Sequence, residues 1–149
     1  MKRIKLIVVK LHGLHFSTHG PELALAITRL AKLCDQFLVP CLVEGTKNSP
    51  MFSRMQFPKS YLEDTVSWCQ FHLKGAKQSR IVHNIDCLGK SCVSCSGWLS
   101  LCKHFKSRHC LHKPSLLKQT GHPKLFCRCV ISLIRDKGHT EYGYGRSDS

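Results

Sequence analysis

The most regular hydrophobic pattern lies in the first half of the chain. Residues 3–9 alternate at first between polar and apolar positions and are rich in β-branched side chains, which predicts a strand. Residues 21–38 repeat apolar side chains at helical spacing behind Pro21, a residue suited to a first helical turn, and predict an amphipathic helix. Short strands are also predicted at 41–45 and 80–88. The order strand, helix, strand at the start of the chain indicates a βαβ unit.

A second amphipathic helix is predicted over residues 60–74. Ser60 and Glu63 have the spacing of a capping box, in which the hydroxyl accepts an amide N–H of the first turn and the carboxylate reaches back. Leu62 and Val66 open an apolar stripe that continues at helical spacing to the end of the segment. This segment and the helix predicted over residues 21–38 are the two helices that we expect.

The amino-acid composition changes at Gly89, after which Ser, Cys, Lys and His are the most frequent residues. The apolar run 125–134 is an exception. Its pattern does not decide between helix and strand, and its β-branched residues favour a strand. The polar residues 136–149 predict a disordered tail. We therefore divide the chain into a weakly organised α/β region at 1–88, a basic Cys/His-rich region at 89–135 and the tail. The expected fold class is an irregular α+β structure of low organisation, with few short strands and a poorly ordered Cys/His-rich C-terminal half.

The charge of the chain is strongly positive, at +14, and no acidic residue occurs between Cys87 and Arg135. A field of one sign attracts polyanions, so nucleic acid is a candidate partner. Cations fix phosphates and exposed aromatic rings stack on unpaired bases, and basic residues surround Trp98 and Phe105. The simpler interpretation is a solvated basic face around core aromatic side chains. The candidate nucleic-acid-binding residues are Lys103, Lys106, Arg108 and Lys113.

The distribution of thiols and apolar residues favours an intracellular protein. The ten cysteines would need a secretory route to pair as disulfides, and the N-terminus is a poor signal peptide. No apolar stretch approaches the 18 residues that would indicate a membrane span. We expect a nuclear or cytoplasmic location with mostly reduced thiols. A mitochondrial location is the alternative, because the first 21 residues are basic and contain no acidic side chain.

The densest group of potential metal ligands lies between Cys92 and His112. Cys92 and Cys95 form a Cys-x-x-Cys pair, a spacing that lets two sulfurs face one zinc ion. With His109 and His112 as the second pair, the segment resembles a zinc finger of the two-cysteine, two-histidine type, which implies one zinc ion held by these four residues. Thirteen residues separate Cys95 from His109 and two separate the histidines, whereas that family usually has about twelve and three to five.

Other ligand sets compete with this one. His104 paired with His109 has an acceptable histidine spacing but leaves a short loop after the cysteine pair. Cys127 or Cys129 could instead complete the set from the later apolar run. Because several sets compete in a chain with ten Cys and ten His, chance clustering is the simpler interpretation. Zinc is the only cofactor that the sequence suggests.

The sequence contains no nucleophile elbow, phosphate loop or His-Glu-x-x-His pattern, so we expect no enzymatic activity. The first hypothesis is a small basic intracellular protein without an evolved biochemical role. The second is a zinc-ordered nucleic-acid-binding module in residues 89–135. The third is an interaction protein whose helix at 21–38 presents an apolar face to a partner chain. The residues expected on that face are Leu23, Ile27, Leu30 and Phe37.

Overall fold

The computed structural model describes the chain in parts, namely residues 4–11, 16–68, 78–86, 88–91 and 124–141. Within these ranges the backbone forms four strands and four helices, numbered here in chain order. They are β1 (Ile7–Lys10), α1 (Phe16–Gln36), β2 (Cys41–Thr46), α2 (Met51–Arg54), β3 (Leu62–Ser67), β4 (Gln78–His83), α3 (Leu88–Ser91) and α4 (Lys124–Glu141). None of the helices in the described ranges is both long and apolar enough to cross a bilayer.

The strands form one four-stranded sheet in the order β1-β2-β4-β3. β1 and β2 run parallel, with Ile7 opposite Cys41, and α1 makes the crossover between them. This arrangement confirms the predicted βαβ unit. β4 pairs antiparallel with β2 on one side and with β3 on the other. The fold is therefore a mixed α+β structure around a small sheet, as expected at that level of detail. β4 confirms residues 80–83 of the strand predicted over 80–88, whereas residues 84–86 are not strand and Leu88 begins α3.

The helix α1 changes direction near its start. His19 has φ −116° and ψ 16°, outside the helical region, so the regular part of α1 begins after it. Pro21 then falls in the first turn of that regular part, where its missing N–H costs nothing. Glu22 lies three residues after His19, with its carboxylate 3.6 Å from the imidazole Nδ1. The predicted helix at 21–38 is thus confirmed in its main part, with a short helical extension before it.

One face of the sheet is covered by α1 and α2. Buried apolar side chains of α1 recur every three or four residues, as an amphipathic helix requires, and α2 adds Phe52. Gly45 of β2 lets the Phe52 ring approach, since a Cβ there would lie 2.8 Å from a ring carbon. We call this layer the α1-side core. Its members from α1 and the sheet are Ala24, Ile27, Ala31, Cys34, Cys41, Val43 and Val82.

The opposite face of the sheet is covered by α4. Phe126 and Val130 are buried there, and the Phe126 ring meets the Trp68 indole edge-on, with ring centroids 5.1 Å apart and planes at 81°. We call this layer the α4-side core. The strand predicted over 125–134 was wrong. Its apolar residues have helical spacing, and burial of that stripe on the sheet outweighs the intrinsic strand preference of its β-branched residues.

The helix predicted over residues 60–74 was also wrong in the described part, because residues 62–67 form β3. Leu62 and Val66 are four residues apart, a spacing that places them on one side of a helix and equally on one face of a strand. The adjacent β4 supplies backbone hydrogen bonds along the whole length of β3. Residues 69–74 of the predicted helix lie outside the described residues.

The expected capping box at Ser60 and Glu63 does not form. The Ser60 hydroxyl donates instead to the carboxylate of Asp35 at the end of α1. The Glu63 carboxylate accepts a hydrogen bond from the Arg80 guanidinium of the neighbouring strand at 2.6 Å. Both side chains therefore link separate elements, and neither closes a local helical turn.

The C-terminal half is described only in part. Residues 92–123, most of the segment predicted to be poorly ordered, lie outside the described residues. α4 continues to Glu141, so residues 136–141 of the predicted tail are helical, and 142–149 lie outside the described residues.

Candidate protein-binding surface

The metal and nucleic-acid residues predicted from the sequence lie outside the described residues. This holds for every member of both sets, including the alternative ligand. They are Cys92, Cys95, His104, His109 and His112 for zinc, and Lys103, Lys106, Arg108 and Lys113 for nucleic acid. In the parts of the chain that the structure does describe, no three His, Cys, Asp or Glu side chains come together as a metal site.

The structure does limit one of the alternative zinc ligand sets. Cys127 and Cys129 lie on α4, where successive residues turn by about 100°. The two side chains therefore leave the helix in directions about 200° apart, and one zinc ion could take at most one of them. Cys127 is exposed and Cys129 half-buried, so Cys127 is the more accessible of the two.

His83 is the most deeply buried imidazole among the described residues, with none of its surface exposed. Its Nδ1 accepts the Ile85 amide N–H at 3.1 Å, so Nε2 bears the ring proton and donates to Asp64 at 2.8 Å. Gly89 lets α3 lie against that carboxylate, since a Cβ there would meet both oxygens at 2.8 Å. Both ring nitrogens therefore bond within the fold. His83 links β4 to β3 and to the loop before α3, and neither nitrogen is available as a general base.

Glu44 is a buried carboxylate, with only 3% of its surface exposed. The Ser79 hydroxyl donates to it at 2.6 Å and in turn accepts the Trp68 indole N–H at 2.8 Å. The Lys10 ammonium lies 3.8 Å from the other carboxylate oxygen. A buried charge needs such partners to offset its lost hydration. The chain of contacts joins β1, β2 and β4 to the residue that follows β3, and it belongs to the scaffold.

Two buried thiols, Cys34 and Cys41, lie beside Tyr61 in the α1-side core. Burial raises the pKa of Cys41 to about 11, a rise that its contact with Tyr61 partly offsets and the neighbouring Cys34 increases. Burial also raises the pKa of Tyr61, whose hydroxyl donates to the Ala31 carbonyl at 3.2 Å. The thiolate is the reactive form of cysteine, and a reagent must also reach it. Because both side chains are buried, we assign these cysteines a packing role.

The buried and exposed thiols should therefore differ sharply in reactivity. We expect iodoacetamide to label Cys127 rapidly at pH 8, and Cys34 and Cys41 only as fast as the protein unfolds. The Cys41 thiolate needs a pH near 11, so its labelling in the native state should stay slow up to about pH 10. Peptide mass spectrometry after timed labelling measures all three sites. Labelling of Cys41 in step with Cys127 would contradict this assignment.

The most distinctive exposed feature is a second apolar stripe that runs along α1 to Phe37, the residue after its end. Its five residues follow one another at intervals of three and four, the spacing of a coiled-coil seam. Leu33 and Phe37 are 51% and 67% exposed, and Leu30 is half-buried at the margin of the core. We call this stripe the α1 ridge. It consists of Leu23, Ala26, Leu30, Leu33 and Phe37.

The α1 ridge adjoins the stripe that packs on the sheet but is centred elsewhere on the helix. At 100° per residue, the centre of the ridge lies about 100° around the helix from the centre of the stripe of Ala24, Ile27, Ala31 and Cys34. A helix on the surface of a domain needs one apolar stripe to pack against its core. α1 has two, and the second lies on the exposed side.

The residue that follows the ridge, Leu38, is 87% exposed and adopts φ 53°. The Leu38 N–H bonds to the Asp35 carbonyl at 3.2 Å and the Val39 N–H to the Cys34 carbonyl at 2.8 Å, the two hydrogen bonds of a Schellman cap. This left-handed position normally belongs to glycine, because a Cβ there costs about 1 kcal/mol. A strained, exposed leucine is thus continuous with the apolar ridge.

Replacing Leu38 by Gly should stabilise the domain by about 0.5–1 kcal/mol. The substitution removes the cost of a Cβ at positive φ, and this gain exceeds the cost of the extra conformational entropy that glycine loses on folding. Leu38→Ala is the matched control, because it removes the apolar side chain but keeps the Cβ. Urea unfolding of both variants measures the difference. A gain in Leu38→Ala equal to that in Leu38→Gly would show that backbone strain is not the cause.

The structure divides the four residues predicted to face a partner chain. Ile27 is 4% exposed and packs in the α1-side core, so its assignment to a partner face was wrong. Leu30 is half-buried against the same core. Leu23 and Phe37 are exposed. The sequence-based prediction missed Leu33, although its position three residues after Leu30 and four before Phe37 was a usable signal.

The rest of the exposed surface of α1 carries charges of both signs. Arg29 lies beside the ridge between Glu22 and Gln36, and Lys32 lies farther around the helix. Leu25 is a further exposed apolar residue on that side, at 51%. A groove of about 340 Å³ lies between α1 and the end of α2, where the side chain of Arg54 lines it. The ridge is therefore bordered by the protein's own core on one side and by a mixed polar surface on the other.

Comparison with known proteins adds no relative. No family model matches the sequence, and neither a curated protein nor a solved structure matches it.

Proposed function

We propose that this chain is a non-enzymatic protein-binding domain and that the α1 ridge is its docking surface. The observation behind the proposal is a seam of five apolar residues, four of them exposed, along α1 and the residue that follows it, on a helix that already buries another stripe in its core. Contiguous exposed apolar surface on a folded domain is typical of interaction sites. The strained backbone of Leu38 also supports a docking surface here, because backbone strain is retained mainly where function requires it.

The polar groups of the described residues favour binding over catalysis. His83, Asp64, Glu44 and Ser79 use their hydrogen bonds within the fold. The thiols of Cys34 and Cys41 are buried, and the raised pKa of Cys41 keeps its thiol protonated at neutral pH. We place the domain in the nucleus or cytoplasm as part of this proposal. The zinc-ordered nucleic-acid module at 89–135 stays a separate prediction.

Site-specific photo-crosslinking in cells that express the protein tests the proposal. A benzophenone amino acid is placed at Leu33 or Phe37 of the ridge, and at Leu125 or Ile131 of α4 as controls of comparable exposure. We expect a discrete protein adduct from both ridge positions and none from the α4 positions. The adduct should disappear when Leu30 is also replaced by Asp and a melting curve shows that the variant is folded. Equal adducts at ridge and control positions, or none at the ridge, would refute the proposal.

A further inference from the structure

The exposed side of α4 carries charges of one sign. Lys124, Arg128 and Arg135 are all exposed, and none of them makes an ion pair with a described residue. At 100° per residue they fall within about 40° of one another around the helix. The buried stripe through Phe126 and Val130 lies on the opposite side, so the three cations lie on the side of α4 away from the sheet. We call these three residues the α4 cationic face.

No acidic residue lies among these cations. Residues 124–135 contain neither Asp nor Glu. The first acidic residue of α4, Asp136, falls about 100° around the helix from the centre of the cationic face. The exposed side of α1 differs in this respect, because Glu22 shares it with Arg29. The α4 cationic face is therefore a local concentration of positive charge, beyond the general excess of Lys and Arg in the chain.

This arrangement is unfavourable for the helix by itself. Lys124 stands in the first turn of α4, where the helix dipole disfavours a cation and where no acidic residue compensates it. Lys124 and Arg128 are four residues apart, a spacing at which like charges repel each other. A polyanion that lies along the face would offset both effects.

We infer that the α4 cationic face binds the phosphate backbone of double-stranded nucleic acid, without preference for its base sequence. The inference does not depend on the α1 ridge, because α1 and α4 cover opposite faces of the sheet. The rise from Lys124 to Arg135 is about 16 Å at 1.5 Å per residue. A DNA duplex carries a negative charge about every 1.7 Å along its axis, so it offers a phosphate to each of the three cations.

The side chains of the face suit a duplex backbone better than unpaired bases. Two of the three cations are arginines, whose planar guanidinium donates two hydrogen bonds to one phosphate. Contacts of this kind fix the backbone and do not read the base sequence. Binding of single strands relies on aromatic rings that stack on bases, and the aromatic ring within residues 124–135, Phe126, is buried.

An anionic membrane is the other extended polyanion, and the packing of α4 disfavours it. A helix that binds at a membrane surface buries its apolar stripe among the lipids. α4 buries that stripe on the sheet instead, through Phe126 and Val130. Leu125 and Ile131 are its exposed large apolar residues in the described range, at 40% and 44%, and two partly exposed side chains supply little surface for insertion.

Fluorescence anisotropy of the full chain with a labelled DNA duplex of about 20 base pairs tests the inference. The triple variant Lys124→Gln, Arg128→Gln and Arg135→Gln removes the face and keeps residues that favour a helix. We expect its affinity to fall about tenfold or more at about 0.1 M salt. The slope of the logarithm of the association constant against the logarithm of the salt concentration should become shallower by about 2–3, which is about 0.9 for each lost phosphate contact.

Two further results are expected if the face binds the backbone. The single variants Arg128→Gln and Arg135→Gln should each reduce the salt slope by about 1, and circular dichroism shows whether each variant is folded. Duplexes of two unrelated sequences should bind the parent protein to within about threefold of each other. A large preference for one sequence would contradict recognition of the backbone alone.

A matched control separates the face from general attraction to a basic chain. The triple variant Arg29→Gln, Lys32→Gln and Lys59→Gln also removes three exposed cations, at sites outside α4. Its affinity should fall by less than about threefold and its salt slope should change by less than about 1. Equal losses in the two triple variants would overturn the inference, as would unchanged duplex binding in the α4 variant.

Other variants identify the binding residues and the polyanion. Loss of duplex binding only when Lys103, Lys106, Arg108 and Lys113 are replaced by Gln would assign the phosphate contacts to those residues and reject the inference. Tighter binding to phosphatidylserine vesicles than to the duplex, lost in the α4 variant, would assign the face to a membrane and also reject it. Leu33→Asp should bind the duplex like the parent protein, so failure of the proposed docking function would leave this inference standing.

Discussion

Replacing Phe126 by Ala should lower the free energy of unfolding by about 3–5 kcal/mol, a large part of the stability of an ordinary domain. The Phe126 ring is 3% exposed and packs edge-on against Trp68. Its loss would leave a cavity between α4 and the sheet. Urea unfolding followed by tryptophan fluorescence measures the change.

Leu125→Ala is the control for this prediction. Leu125 is the preceding residue on α4 and is 40% exposed, so its truncation should cost well under half as much. Equal losses in the two variants would mean that α4 does not pack on the sheet through Phe126. A large loss confined to Phe126→Ala would establish the α4-side core.

Replacing Ile27 by Asp should prevent folding or destabilise the domain by about 4 kcal/mol or more, because it buries an unpaired carboxylate. Replacing Leu33 by Asp should change stability by about 0.5 kcal/mol or less, because Leu33 is 51% exposed. Both substitutions introduce the same residue into the same helix, so helix propensity cancels. Thermal melts monitored by circular dichroism compare them.

The reverse ranking of these two variants would exchange the two apolar stripes of α1. The ridge would then be the core and the stripe through Ile27 would be the exposed surface. A substantial loss of stability in both would mean that the helix is enclosed on both sides, and the α1 ridge could not be a docking surface.

The βαβ unit could be predicted from the sequence because its signals are local. β1 and α1 each have a clear period and β2 is a short apolar run. Pro21 falls in the first turn of the regular part of α1, and Pro40 follows the end of the helix. Their short connections favour pairing of the two strands. Local pattern and tertiary structure agree in this part of the chain.

The two wrong assignments arose where the local pattern fits two structures. Leu62 and Val66 suit a helix and a strand equally, and the deciding partner of β3 lies about sixteen residues later, in β4. Trp68 was a missed signal, since it continues the Leu62–Val66 face at strand spacing and is buried. In α4, the β-branched residues were given more weight than the spacing of Phe126 and Val130.

The candidate surface could be predicted only in part. The sequence contains both apolar stripes of α1, and nothing local tells which one the sheet will cover. Ile27 was therefore assigned to a partner and Leu33 was not considered. The left-handed conformation of Leu38 has no sequence signal, because glycine is the usual residue there. The proposed zinc and nucleic-acid residues stay predictions.

The strand order has a consequence for synthesis on the ribosome. β2 lies between β1 and β4, and β4 lies between β2 and β3, so the sheet cannot close until His83 has emerged. α4 begins forty-one residues later, at Lys124. During that interval Trp68 and Ile81 lack the helix that covers them in the folded protein. Exposed apolar surface of this kind favours aggregation, and binding of a chaperone to the nascent chain would prevent it.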